Sequence, residues 1–396
     1  MMSVETVFLL PGQGGYSPGA FAGEAAPEVA EVLAVVDRVA AEFGRDGVSR
    51  LLTEPDAPGP AELMRSDSFA LQLAVFAAGV CWFRLAARGA TPDVVVGHSM
   101  GEIAALTVAG AFDLADGARL VCHRSEALLA HCPEDGGMVA LELAEPRAAH
   151  LVGAVAERGL AVAVANAPRQ TVVSGPDGAV ATVASLAETL GVRVTRLTAP
   201  FPFHSPMLAL AAHAFAHAIT GIRQRPPHLG VYSPTAGGHV RGDTDLKALL
   251  ARQLTTAVQF LAAVRELHAA GAETFVECGD AGLSGLVRRS VPAVSTSKST
   301  SAPAEPVVIA PAPAGGVLEE LRELYAVSLG YPVEVITADA DLEADLGIDS
   351  LKRAEMLAKV SAHFGLGESA QDGRFIAQPT LAALADLIAV TPAEAR

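Results

Sequence analysis

The sequence predicts an α/β protein: a parallel sheet with covered faces, interrupted by a smaller unit and followed by a helical tail. Three observations predict it. Val94-Val95-Val96 reads as a strand buried on both faces, and the pattern from Met100 to Ala109 turns helical directly after it. Between about residues 130 and 198 the order of patterns becomes βαββαβ. Beyond a Ser/Thr/Ala/Pro stretch at 291–316, the apolar spacing from Val317 to Val390 is helical.

Each element follows in order. Thr6 to Leu10 is a short apolar strand that runs into Pro11-Gly12-Gln13-Gly14-Gly15. A dinucleotide loop would need its third glycine where Ser17 stands, and no Walker lysine follows. A glycine loop that brings backbone N–H groups close to an oxyanion fits better. Glu28 to Phe43 and Phe69 to Ala87 have helical periodicity, Asp93 opens the strand that leads to Ser99, and Ala118 to Leu129 forms a helix bearing Arg124. Strands at Gly137–Leu143, Leu160–Ala165, Thr171–Val173 and Val192–Leu197, with helices at Glu145–Arg158 and Asp177–Leu190, make an inserted ferredoxin-like subdomain. The larger body resumes with Phe201-Pro202-Phe203-His204-Ser205-Pro206 and a helix from Met207 to Thr220. Strands Gly230–Ser233 and Thr274–Glu277 then flank helices Leu246–Leu254 and Val258–Ala270. The expected organisation is a body over 1–290, a flexible linker over 291–316 and a compact helical tail over 317–390.

Composition excludes several classes. The net charge of −16, without basic blocks, argues against nucleic acid as a partner. No apolar run reaches membrane-spanning length without a charge, Pro or Gly inside it, and the N-terminus lacks the basic start of a signal peptide. Cys81, Cys122, Cys132 and Cys278 show no metal-binding spacing and read as reduced structural thiols of a cytoplasmic protein; no metal is expected.

Gly97-His98-Ser99-Met100-Gly101 fits G-x-S-x-G, the sharp strand-to-helix turn that lifts a serine clear of a sheet. Ser99 then lies at a helix N-terminus, where free N–H groups favour developing negative charge. The plainer reading is a turn serine that only caps the helix. In the tail, Asp345-Leu346-Gly347-Ile348-Asp349-Ser350-Leu351 places Ser350 at the start of a helix with Leu351, Ala354, Leu357 and Val360 on its inner face. A phosphate ester on Ser350 would again meet a helix N-terminus. The surrounding Asp339, Asp341, Glu343, Asp345 and Asp349 make this end of the tail acidic.

The tail motif resembles the phosphopantetheine attachment site of four-helix acyl carrier proteins, which implies 4′-phosphopantetheine on Ser350 and a phosphopantetheinyl transferase to install it. Lys352 and Arg353 depart from the more acidic helix of many carriers. The first 290 residues resemble malonyl-CoA:acyl carrier protein transacylases and the acyltransferase domains of polyketide synthases, with an α/β-hydrolase-like body. The resemblance rests on Pro11-Gly12-Gln13-Gly14, Gly97-His98-Ser99-Met100-Gly101-Glu102, Arg124, Asn166-Ala167-Pro168, Phe203-His204-Ser205-Pro206, Gln253-Leu254-Thr255 and Glu277-Cys278-Gly279. Asp280 stands where the family usually has proline.

The resemblance implies Ser99 as nucleophile and His204 as general base, with Gln253 and Asn166 as polar partners at the histidine and substrate. It makes the N–H groups of Gln13 and Met100 the oxyanion hole and gives Arg124 the free carboxylate of a malonyl-type unit. Phe203 before the histidine resembles malonyl-selective members, methylmalonyl being the alternative. The expected reaction moves a malonyl unit from malonyl-CoA through Ser99 to a carrier thiol, either the chain's own or a separate carrier's. Without a ketosynthase cysteine motif, the chain is expected to act as an acyltransferase–carrier didomain beside partner ketosynthase or synthase proteins. Two rivals share the motifs: a hydrolase that edits misloaded carriers, and an inert module that only holds the carrier.

Overall fold

The computed structural model describes residues 4–133, 135–291, 294–299 and 317–329, and 356–357, 359–361, 363–364 and 381–390 of the tail. The chain divides into two units, Met1–Pro303 and Ala304–Arg396.

Strand β1 (Thr6–Leu10) forms where four consecutive apolar residues, Val7 to Leu10, are lost from solvent on both faces of a sheet. Helices α1 (Pro27–Glu42), α2 (Ser49–Thr53), α3 (Pro60–Ser66) and α4 (Ser68–Ala86) follow. Among these, α4 is apolar nearly all round, long enough by composition to cross a membrane, and buried in the fold along most of its length. Next come β2 (Val94–Gly97), α5 (Gly101–Val108) and α6 (Leu114–His131). The chain then enters β3 (Gly136–Leu141), α7 (Glu145–Val155), β4 (Ala161–Ala167), β5 (Gln170–Pro176), α8 (Asp177–Thr189) and β6 (Val194–Leu197). It returns through α9 (Ala209–Ala218), β7 (Gly230–Ser233), β8 (Gly238–His239), α10 (Leu246–Gln253), α11 (Phe260–Ala269), β9 (Thr274–Glu277), α12 (Leu283–Ser290) and β10 (Ser295–Lys298).

The main sheet has the order β10-β9-β1-β2-β7-β8, parallel except for the short β7–β8 hairpin. Its register sets Leu10 opposite Gly97, so the loop after β1 and the turn after β2 leave the sheet side by side at its carboxyl end. The second sheet is antiparallel, in the order β4-β5-β3-β6, within the βαββαβ element order. Alternation along its strands decides its two faces. Val139, Leu141 and Val173 pack with α7 and α8, whereas Met138 and Val172 join the core of the larger body. Two backbone bonds to Val258, from Ala165 N–H and to Ala163 O, both 2.9 Å, stitch β4 onto the body and hold the end of that strand near β2.

Three expectations change. Ser295–Lys298, assigned from composition to the linker, is an edge strand paired with β9, so the body extends past residue 290. Serine and threonine tolerate a half-exposed edge, and Lys298 there reaches Asp280 at 2.5 Å. Helix α11 starts at Phe260 rather than Val258, because Val258 bridges to β4. Helix α6 starts at Leu114, where Asp113 caps it by accepting from Asp116 N–H at 2.8 Å. In the tail, helices Val317–Leu329 and Leu381–Val390 bury Leu321, Tyr325, Leu381, Leu384 and Ile388 with Met356, Leu357 and Val360. Ser350 and its motif lie outside the described residues.

Candidate active site

Backbone geometry singles out two residues. Among the described residues, the non-glycine residues with positive φ are Ser99 (53°), Ala156 (52°) and His204 (60°). Ala156 closes α7, an ordinary left-handed helix end. Ser99 and His204 hold a conformation that costs on the order of 1–3 kcal/mol each, which the surroundings must repay. At Ser99 the strain belongs to the turn. A side chain on Gly97 would stand 2.2 Å from Glu102 N, so the strand can meet α5 only with glycine there. A methyl on Gly12 would lie 3.3 Å from Ser99 Cβ and 3.5 Å from Met100 N, which sets the Gln13 loop against the elbow. His98 N–H donates to Leu10 O at 2.9 Å and ties the two segments together.

His204 arrives from the segment after β6. Ser205 next to it caps the following turn and donates to Gly159 O at 2.5 Å. His204 Nε2 stands 2.7 Å from Ser99 Oγ. Its Nδ1 faces two carbonyls, Gln253 O at 2.9 Å and Thr256 O at 3.1 Å, at the C-terminal end of α10. Carbonyls only accept, so Nδ1 carries the hydrogen and Nε2 offers its lone pair to the Ser99 hydroxyl. Helix-end carbonyls thus take the place that a carboxylate fills in the usual triad. Burial, with smaller contributions from the charges of Arg124 and His98, pushes the His204 pKa down to about 4, keeping the ring neutral with its Nε2 lone pair free.

A buried network fixes Gln253 in turn. Its side-chain Nε2 donates to Ser99 O at 3.0 Å and to the Glu102 carboxylate, while Ser233 and Thr235 donate to the same carboxylate. Burial raises the Glu102 pKa and the three donors oppose it. Gln253 was expected at the histidine and the substrate; its backbone O does meet His204 Nδ1, while its fully buried side chain ties Ser99 O to Glu102. Asn166 was likewise expected at His204 and the substrate. Its Oδ1 lies 2.7 Å from His98 Nε2, one residue before the nucleophile, because the bonds to Val258 seat the end of β4 there.

Arg124 lies in the middle of α6 and is 1% exposed. Its Nη1 donates to Gln72 Oε1 on α4, its guanidinium sits 5.2 Å from the centroid of the Phe203 ring, and its Nε has no partner. Burial pulls its pKa down to about 9, the mark of a cation held away from water with no anion beside it. Phe203 precedes His204, and the Arg124 charge is near enough to help lower the His204 pKa. Gln72 and Thr256 stood in no motif, and sequence reasoning passed over their roles and that of Glu102. The G-H-S-M-G-E spacing was the one available signal, since it put a carboxylate on the first turn of an otherwise buried α5.

Comparison with known proteins agrees with this geometry. A family model described as acyl transferase domain matches residues 7–283. The chain belongs to the acyl transferase family. A second model, described as phosphopantetheine attachment site, matches residues 319–388, a range that contains Ser350. This acyltransferase is 36% identical over 297 residues to mycoketide-CoA synthase of Mycobacterium tuberculosis, covering 74% of this chain and 7% of that protein. It is 36% identical over 283 residues to polyketide synthase GfsB of Streptomyces halstedii, 71% of this chain and 5% of that protein. The chain therefore spans a small fraction of these synthases. Among solved structures, a malonyl-CoA:acyl carrier protein transacylase from Xanthomonas oryzae is 30% identical with a TM-score of 0.68, covering 75% of this chain and 95% of that one. The acyl-carrier-protein S-malonyltransferase of Burkholderia pseudomallei is 26% identical with a TM-score of 0.69, covering 76% and 97%. The tail and this body together make an acyltransferase joined to a carrier domain.

Proposed function

We propose that the chain transfers a malonyl unit from malonyl-CoA to the phosphopantetheine thiol of an acyl carrier domain, with its own Ser350 as one acceptor. The observation that carries this reading is the buried Arg124 cation, with an unmatched Nε donor and a charge felt by His204 of the Ser99–His204 pair. A malonyl carboxylate supplies the missing charge, whereas a neutral acyl group leaves the guanidinium unpaired. Sites built on such a polar match discriminate by about 10⁴-fold.

Two half-reactions make up the proposed transfer. Ser99 Oγ attacks the thioester carbonyl, His204 Nε2 takes the hydroxyl proton, and the Gln13 and Met100 N–H groups stabilise the oxyanion. The C–S bond then breaks and the proton passes from His204 to the leaving CoA thiolate. In the second half, His204 removes the proton of the incoming thiol, whose sulfur takes the acyl carbon. The Ser99 ester C–O bond breaks and the proton returns to Ser99. Ser350 holds the accepting arm; as an ester on the carrier domain it supplies a thiol on a tether, which raises its local concentration to the order of mM where geometry allows. Partner ketosynthases would then consume the loaded carrier.

Intact-mass measurement of the pantetheinylated protein after incubation with malonyl-CoA tests this reading. A malonyl adduct on Ser350 that requires Ser99 is expected. Free malonate without a loaded carrier would assign the site to hydrolysis instead.

A further inference from the structure

The Phe201-Pro202-Phe203 turn that leads into His204 is seated on a glycine of the small sheet, Gly136 at the start of β3. We propose that Gly136 is a positioning residue for acyl selection: the space left by its missing side chain receives Pro202 and so fixes the Phe203 ring against Arg124. This rests on the reading of Arg124 as the partner of the acyl carboxylate.

The place of Gly136 in the ladder is fixed. It pairs with Pro176 of β5, and just before it Asp135 O accepts from Asp177 N–H at 2.8 Å. A Cβ on Gly136 would stand 2.8 Å from Pro202 Cδ and 2.9 Å from Pro202 Cβ, and closer still to Cγ. Packed carbon atoms keep roughly 3.5–4.0 Å apart. A proline ring is closed onto its own backbone nitrogen and cannot swing aside as a long side chain can. A methyl group at position 136 therefore moves the backbone of Pro202.

That backbone carries Phe203. Its N–H donates to Phe201 O at 2.9 Å, a three-residue turn with Pro202 at the centre, whose locked φ suits it. The flanking rings of Phe201 and Phe203, each 7% exposed, meet edge to face at 5.6 Å. The Phe203 ring stands 5.2 Å from the Arg124 guanidinium and borders the space there that an acyl carboxylate would fill. A shift of Pro202 reaches this ring through one peptide unit.

The next residues are held differently. His204 has Gln253 O and Thr256 O at its Nδ1 and Ser99 at its Nε2, and Ser205 Oγ is anchored on Gly159 O at 2.5 Å. The Phe203 side chain has no polar atom to anchor it and takes its place from packing. Displacement at Pro202 thus falls on the ring and spares the base, which separates the choice of acyl group from the rate of transfer.

The test compares wild type with Gly136→Ala, which overfills the seat, and Pro202→Ala, which empties it and leaves β3 untouched, with thermal melting as a check on folding. Ser99 acylation is measured with malonyl-CoA and methylmalonyl-CoA, which carry the same carboxylate and differ by one methyl group. One methyl group in a pocket is worth about 10–200-fold in selection. The ratio of kcat/KM for the two donors should shift by at least about fivefold in both variants, while kcat for the preferred donor stays within about twofold. Crystal structures of the variants should show the Phe203 ring displaced from Arg124, with His204 Nε2 still in hydrogen-bond reach of Ser99 Oγ. An unchanged donor ratio overturns the proposal, as does a Phe203 ring that keeps its place in Gly136→Ala. An equal fall in kcat for both donors also overturns it, since that marks a displaced histidine. If wild-type Ser99 takes up neither acyl group, the functional reading fails, and the ring positions in the crystals still decide whether Gly136 places Phe203.

Discussion

At the scale of single residues, the site is built from groups whose ordinary behaviour is altered by burial. His204 is the clearest. Its pKa of about 4 means that the ring is already neutral in mild acid, so kcat/KM for acylation should stay level from pH 8 to about 5 and fall below that. An apparent pKa near the ordinary 6.5 would contradict the burial argument. The same shift works against stability in acid. An unfolded histidine binds its proton below about pH 6.5 and the folded one only near 4, so this group lowers stability as pH falls through that window. Glu102 acts through Gln253 rather than on the substrate. Glu102→Ala should lower kcat by roughly 10²-fold with little change in KM, since small displacements of a catalytic group are costly. Glu102→Gln, which can still accept from Gln253 and Thr235, should recover much of the loss. Steady-state kinetics of the two variants separate positioning from simple loss of fold.

At the scale of elements, the turns and ends of strands do the positioning, and here legibility divides. The elbow was readable because three valines, two glycines and a helical pattern leave one way to pass from strand to helix. The α10 carbonyls that hold His204 were not readable, because a backbone oxygen has no letter in the sequence. Glu277-Cys278-Gly279 stood out as a family signal without a physical meaning. In the structure the Glu277 carboxylate accepts from Ala281, Leu283 and Ser284 N–H at 2.6, 3.0 and 2.8 Å, and so caps α12. Glu277→Ala should destabilise the body by about 1–3 kcal/mol, read from urea unfolding, because buried donors lose their acceptor. Strand β10 was hidden for the opposite reason: Ser-Thr-Ser-Lys has linker composition, and only the exposed edge of β9 turns it into a strand. A body ending at residue 291 should melt below one ending at 303.

At the scale of the whole molecule, the two units carry complementary chemistry. In the proposed reaction the body holds an acyl group on Ser99, and the tail matches the phosphopantetheine attachment site family. If the chain loads itself, the rate of Ser350 malonylation should not change on tenfold dilution of the protein, whereas transfer between chains would slow in proportion. The division into body and carrier was legible from periodicity and motif, while the seating of the small sheet, through Val258, required long-range contacts that no local pattern encodes. The claim on which the rest depends is that Arg124 selects a carboxylate-bearing acyl group for Ser99. It is tested most directly by intact-mass measurement of Ser99 acylation with malonyl-CoA and acetyl-CoA, in wild type and Arg124→Ala. Wild type should take malonyl far faster than acetyl, and Arg124→Ala should lose malonyl acylation by at least about 10²-fold while gaining on acetyl. Undiminished malonyl acylation of Arg124→Ala would contradict the account.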